Sequence, residues 1–211
     1  MTSEFEVAKV LLKIKAVFLR PDEPFTWASG IKSPIYCDNR LILSYPEERS
    51  TVENLMAKQV EKFYPQTEII MGTATAGIAH AALIAERLKL PMGYVRGTAK
   101  DHGRKNQIEG KINNGQKAVV IEDLISTGVS VLECVKTLRE AGADVLGIIS
   151  IFTYGMKQGL QKLEAEKIQN HSLCNLDTLV KVAVSEGYIK PEDEERLLKF
   201  RDNPSDESWR Q

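Results

Sequence analysis

The chain has 211 residues, with 28 Lys and Arg against 29 Asp and Glu, a formal net charge of -1, and 43% hydrophobic residues. That length can bury a sizeable core and fits one domain. The near-neutral balance gives no electrostatic case for a nucleic-acid or acidic-membrane partner. Cys37, Cys134 and Cys174 are odd in number, far apart and without a CxxC pair, which argues against a disulfide framework or a zinc site. Acids and lysines interrupt the apolar positions of residues 1–19, unlike a signal peptide, and no apolar run is long enough to span a membrane. The expectation is a cytoplasmic protein with neither nucleic acid nor membrane as partner.

In chain order, Ser3-x-x-Glu6 is a capping-box pattern, and Val7, Val10, Leu11, Ile14, Val17 and Phe18 follow at helical spacing. FTWASGIKSPIYCDNRLILSYP is rich in Ser, Gly, Pro and aromatics and reads as loop and short strand. A helix is expected from Glu47 to Phe63. Strands and helices then alternate: strand 68–71, helix 77–88, strand 91–95, strand 117–123, helix 129–141, strand 144–152. That order predicts right-handed βαβ units and a parallel sheet covered on both faces. Asn114-Gly115 is a tight-turn signal, so the stretch before it is expected to pair with strand 117–123 as a hairpin. From Asn175 the chain reads as two polar helices, the second opening at Pro191. His80 reads as a packed helical residue and His171 as part of a polar linker.

Ligands of open parallel sheets sit beyond the carboxyl ends of the strands, and three loops fall there. MGTATAGIAH (71–80) has P-loop glycine spacing, but Ile78-Ala79 stand where Lys-Ser/Thr is required, so an NTP-hydrolysing P-loop is excluded. What remains is a small-residue loop with Thr73, Ala74 and Thr75, suited to an anion or serving as a plain strand-to-helix turn. VVIEDLISTGVS (119–130) runs from a core strand through Glu122 and Asp123 into Leu124, Ile125, Ser126, Thr127, Gly128, Val129 and Ser130. Backbone amides and hydroxyls at a helix start make a phosphate cup, and the two acids accept hydrogen bonds from vicinal hydroxyls. Together they describe a ribose-5-phosphate site. The third loop, YVRGTAKDHGRKNQIEG (94–110), is polar and long, and concentrates Arg96, Lys100, His102, Arg104 and Lys105. It suits closing over a polyanion, or is a solvated charged loop. No G-x-G-x-x-G follows any strand, so a nucleotide-linked dehydrogenase is not expected.

VVIEDLISTGVS resembles the signature of type I phosphoribosyltransferases for 5-phospho-α-D-ribosyl 1-diphosphate (PRPP), in which hydrophobic residues precede two acids and a Thr/Ser-Gly loop. FTWASGIKSPIYCDNR resembles the N-terminal substrate segment of the orotate phosphoribosyltransferase family, and VRGTAKDHG its catalytic loop. The resemblance spans about Phe25 to Phe152. It implies a Rossmann-like central parallel sheet flanked by helices, with a small N-terminal subdomain covering the substrate. On that reading 1–211 is one domain: N-terminal helix and substrate segment to 65, PRPP-binding α/β core over 66–155, and a C-terminal helical segment over 156–211.

The resemblance also implies magnesium-dependent transfer of phosphoribose to orotate, giving orotidine 5′-monophosphate for UMP synthesis. Glu122 and Asp123 would hold the ribose hydroxyls, residues Leu124 to Ser130 would hold PRPP with the 5′-phosphate over Ser126–Ser130, and Thr73–Thr75 would face the pyrophosphate. Arg96, Lys100 and His102 would be catalytic, Lys100 above all for the leaving group's charge. Ser126 and Tyr36 would contact orotate. Magnesium would be bound mainly through PRPP, with no metal-binding residue cluster, and the lid would reach the neighbouring subunit's site in a homodimer. Ala28, Ala76 and Gly97 stand where many members carry lysine, and Phe152–Gly155 replaces a segment that often holds an arginine on orotate. Arg104, Lys105 or the amides of 29–36 are then the candidates for the orotate carboxylate. A purine phosphoribosyltransferase and a non-catalytic PRPP-sensing regulator are the alternatives on this fold.

Overall fold

The computed structural model describes residues 3–27, 30–97 and 107–210. Helix α1 (Ser3–Lys13) buries Val7, Ala8, Leu11 and Leu12 on one stripe. Its end is set by Lys15 at φ 57, with the Ala16 amide donating to the Leu11 carbonyl at 2.9 Å, the geometry of a Schellman stop. Val17 and Phe18, expected on the helical stripe, therefore lie in strand β1 (Val17–Leu19). Two short antiparallel pairs make the N-terminal segment: β1 with β4 (Ile35–Cys37), and β2 (Phe25–Thr26) with β3 (Lys32–Ser33). A 3₁₀ turn at Asn39–Ser44 leads to α2 (Pro46–Phe63), which has proline in its first turn, where no donor is lost.

The core is a six-stranded sheet in the order β10-β9-β8-β5-β6-β7. Its strands are β5 (Ile69–Thr73), β6 (Met92–Val95), β7 (Ile108–Glu109), β8 (Lys117–Ile125), β9 (Asp144–Thr153) and β10 (Asn170–Asn175). All neighbours pair in parallel except β7 on β6. Helices α3 (Gly77–Leu88), α4 (Val129–Glu140) and α5 (Lys157–Ala165) connect them, and α6 (Leu176–Ser185) and α7 (Pro191–Asp202) follow β10. The pleat sends alternate residues to opposite faces. Ile70, Val119, Ile121, Ile149 and Ile151 join the layer of α1, α2 and α6. Ile69, Met71, Ala118, Val120 and Ile148 meet Val131, Cys134, Val135 and Leu138 of α4. Each such aliphatic side chain contributes roughly 1.5–3 kcal/mol by leaving water. This double burial explains why Ile69–Met71 of β5 and Ala118–Ile121 of β8 read as unbroken apolar runs.

Three expectations are corrected. The hairpin before Lys117 does not form: both edges of β8 are taken by β5 and β9, and Ile108–Glu109 pair with β6 instead. The Asn114-Gly115 turn is nonetheless present, with Gly115 at φ 74. His171 lies in β10, an edge strand, with its ring stacked 3.7 Å from that of Phe63. Its polar neighbours are accommodated by hydroxyl bonds, Ser150 to Ser172 at 2.7 Å and Ser150 to Asn170 at 3.0 Å. Finally, α6 is a core helix, burying Leu176, Leu179, Val180, Val182 and Ala183.

The C-terminal elements reach back to the N-terminal segment. Phe200 and Trp209 are buried with ring centroids 5.8 Å apart, and Trp27 meets Phe200 edge-on at 5.6 Å. Arg196 of α7 donates to Asp22, Asp193 and the carbonyls of Pro21 and Trp209 at 2.7–3.1 Å.

Candidate functional site

Parallel register brings the carboxyl ends of four strands side by side: Thr73 opposite Val95, Glu122 opposite Ser150, and Ile125 opposite Thr153. Two of the three loops foreseen from the sequence open there, and most of the third lies outside the described residues.

The Ser126–Ser130 loop starts where β8 ends and passes into α4 through Gly128, whose φ of 75 suits a residue without a Cβ. A glycine cap offers no side-chain acceptor to the first-turn amides of α4, so these N–H groups and the positive helix end are left for a ligand. Ser126 and Thr127 are half-buried and Ser130 is exposed. Helix α5 supports the loop from behind: a Cβ on Gly159 would lie 2.6 Å from the Ser126 carbonyl oxygen. The Tyr154 amide and Thr153 hydroxyl both donate to the Ile125 carbonyl, at 3.0 and 3.2 Å.

The two acids differ. Glu122 is only 4% exposed, and its carboxylate accepts the Asp123 amide at 3.0 Å and the Ser130 hydroxyl at 3.4 Å. Burial, then the neighbouring Asp123 carboxylate, holds its pKa well above the usual carboxylate value. Asp123 is half-buried. The structure thus turns Glu122 inward, against the loop, and leaves Asp123 nearer solvent.

Thr73 and Ala74 of the second loop, Arg96, and Ser130 of the phosphate loop line one small cavity of about 50 Å³. The Ala74 amide donates to the Val95 carbonyl at 3.0 Å, and the Ala74–Thr75 peptide is cis. Arg96 follows β6, donates its amide to Gln107 at 2.9 Å, and pairs with Glu109 at 3.2 Å. Lys100, His102, Arg104 and Lys105, like Ala28 and Ser29, lie outside the described residues.

In the N-terminal segment Tyr36 is 40% exposed and tilts against Phe25 at 5.5 Å. Phe152 and Tyr154, which stand where an arginine is common, are buried, with Tyr154 5.9 Å from Trp27. That position serves packing here. Sequence reasoning passed over Lys32, which donates to the Thr26 hydroxyl at 2.7 Å, and Arg20, whose guanidinium lies 5.2 Å from the Phe25 ring centroid. It also missed Asn39, a fully buried amide that donates to the Asp123 carbonyl at 2.7 Å. Its sequence gave no sign of this, since Asn39 sits between the charged Asp38 and Arg40 like an ordinary surface residue.

Two acids, a glycine-capped phosphate cup and a second small-residue loop, all at the ends of parallel strands, define a phosphoribosyltransferase-type site. A sequence model described as "Phosphoribosyl transferase domain" matches residues 41–182. The chain belongs to the orotate phosphoribosyltransferase family, a class of glycosyltransferases: it is 54% identical over 204 residues to the orotate phosphoribosyltransferase of Bacillus anthracis, covering 97% of each chain. The crystal structure of the Aeropyrum pernix orotate phosphoribosyltransferase has a TM-score of 0.75 at 31% identity, over 87% of this chain and 99% of that one. Leishmania donovani UMP synthase matches with a TM-score of 0.79 at 26% identity, over 94% of this chain and 42% of that one. No helix of the described residues is long and apolar enough to cross a membrane.

Proposed function

We infer that this chain transfers the 5-phosphoribosyl group of PRPP to orotate, releasing pyrophosphate and forming orotidine 5′-monophosphate for UMP synthesis. The observation that carries the reading is the start of α4, without a side-chain cap, one short loop after Glu122 and Asp123, with Ser130 sharing a small cavity with Thr73 and Ala74. Relatives at 54% and 31% identity favour orotate over a purine base or a regulatory role.

The orotate ring nitrogen bonds C1′ and gives up its proton to solvent or the departing pyrophosphate, while the bond from C1′ to the pyrophosphate oxygen breaks and its electron pair leaves with pyrophosphate. The protein's share is positioning and charge stabilisation of a cationic ribosyl group. The amides and hydroxyls from Leu124 to Ser130 seat the 5′-phosphate and ribose. Asp123 accepts from the ribose hydroxyls, and Glu122, turned inward, sets the loop's shape as well as offering its remaining acceptor capacity. Thr73, Ala74 and Thr75, with Arg96, face the pyrophosphate, and Lys100 and His102 complete that contact. Ser126 and Tyr36 border orotate. Its carboxylate falls to Arg104, Lys105, the amides of 29–36, or Lys32.

The mouth offers hard oxygen donors, the half-buried Asp123 carboxylate and the loop hydroxyls, which fit magnesium held mainly by PRPP oxygens and water. When bound, the ion neutralises charge on the pyrophosphate. We further propose a homodimer whose 94–110 lid serves the neighbouring site, and a cytoplasmic location. The three cysteines are unpaired, as a reducing compartment would leave them.

Loss of orotate absorbance on adding PRPP and magnesium tests the activity. Turnover of a purine base without turnover of orotate would overturn it.

A further inference from the structure

We propose that Asn39 is a positioning residue that ties the substrate segment to the ribose-facing acid, so that the orotate and PRPP halves of the site are set as one unit. The proposal rests on the reading of Asp123 as a ribose ligand.

Asn39 opens the 3₁₀ turn immediately after β4, the strand that carries Tyr36, and is 0% exposed. A buried primary amide is costly unless both its ends are satisfied. Here Nδ2 donates to the Asp123 carbonyl at 2.7 Å, across 84 residues of chain, and Oδ1 accepts the Cys37 thiol at 3.3 Å. Burial, then the Asp123 and Asp38 carboxylates, pushes that thiol well above its usual pKa, so it stays a neutral donor. Strand β5 last pairs with β8 at Gly72 and Ile121, so Asp123 lies beyond the β5–β8 ladder. Asn39 supplies the donor for its carbonyl, while Glu122 takes its amide at 3.0 Å. The backbone of Asp123 is thus gripped on both sides by side chains, while its carboxylate, half-buried, lies beside that of Glu122. Of the two grips, Asn39 comes from the segment that borders the base. A shift of β4 on binding orotate is passed to Asp123 through one short, buried hydrogen bond.

The test is a double-mutant cycle on Asn39→Ala and Asp123→Asn, read as KM for PRPP, KM for orotate and kcat, with Tm as a check on folding. Asn39→Ala should lower kcat/KM for PRPP about tenfold, the effect of leaving one buried carbonyl unpaired. It should also raise the KM for orotate, although Asn39 touches neither substrate. Combined with Asp123→Asn it should add little to the loss caused by Asp123→Asn alone. Fully additive losses, or an Asn39→Ala enzyme with wild-type constants, would overturn the proposal while leaving the role of Asp123 intact. Unchanged PRPP kinetics in Asp123→Asn alone would instead sink the reading of Asp123, and the proposal with it. Where Asn39→Ala folds poorly, Asn39→Leu keeps the size, removes the donor without adding charge and gives the same cycle.

Discussion

Replacing Gly159 by alanine should damage PRPP use from the far side of the phosphate loop. Gly159 is in α5 and touches no ligand, but an added Cβ would sit 2.6 Å from the Ser126 carbonyl oxygen and 3.6 Å from the Thr127 carbonyl carbon. Ordinary contact begins at 3.4 Å, so loop or helix must move by about 0.8 Å, and both neighbours are backbone. A misplacement of about 1 Å in a positioning element can lower turnover about 100-fold. Part of the strain is absorbed by α5, so we expect kcat/KM for PRPP to fall about 30-fold, with a smaller change in KM for orotate. Overpacking of this kind costs about 1–3 kcal/mol, which corresponds to roughly 2–10 °C in Tm for a chain of this size. Steady-state kinetics with PRPP varied, together with a thermal melt, measures both. Leu160→Ala, at a 56% exposed neighbour on the same helix, is the control and should change neither. PRPP kinetics within twofold of wild type in Gly159→Ala would refute the claim that α5 sets the loop.

Other outcomes follow from the same geometry. Because the folded-state pKa of Glu122 is raised, the folded protein holds an extra proton in the pH range just above the usual carboxylate value, and stability falls as pH rises through that range. Glu122→Gln should flatten that decline in a series of melts between pH 5 and pH 8, while weakening PRPP turnover; an unaltered slope would contradict the assignment. Lys100→Ala should lower kcat far more than it weakens PRPP binding, measured by turnover and by titration calorimetry; a defect in binding alone would contradict its leaving-group role. Glu53 and His80, both fully buried with Oε1 and Nδ1 2.6 Å apart, join α2 to the first turn of α3. Glu53→Ala should cost about 1–3 kcal/mol in urea unfolding, because it leaves a buried ring nitrogen without its hydrogen-bond partner. His80→Ala added to it should cost much less than the sum.

The sheet was legible because its central strands are buried on both faces, so Ile69–Met71 and Ala118–Ile121 are apolar without interruption and Ile148–Phe152 is broken only by the buried Ser150. The turn from β8 into α4 was legible because its signals are contiguous: acids, hydroxyls and Gly128 lie within nine residues. What escaped depends on partners distant in sequence. Strand β10 is an edge strand with one paired side, and its Asn170, His171 and Ser172 carry no apolar pattern. The break after α1 was hidden because Val17 and Phe18 continue the helical spacing by coincidence, and the stop is made by Lys15 rather than glycine. The inward turn of Glu122 and its division of labour with Asp123 follow from which carboxylate α4 covers, and two adjacent letters cannot show that. Asn39 is the clearest case, since its partner is 84 residues away.

The aromatic stack of Trp27, Phe200 and Trp209 has a consequence for how the enzyme is made. The segment bordering the base emerges early in synthesis, yet the rings that brace it are contributed by residues 200 and 209. A nascent chain can assemble the sheet and the phosphate loop well before that brace exists. The brace on Trp27 is therefore completed only once residues 200 and 209 have been made, and a chain cut short in α7 would leave that segment without it.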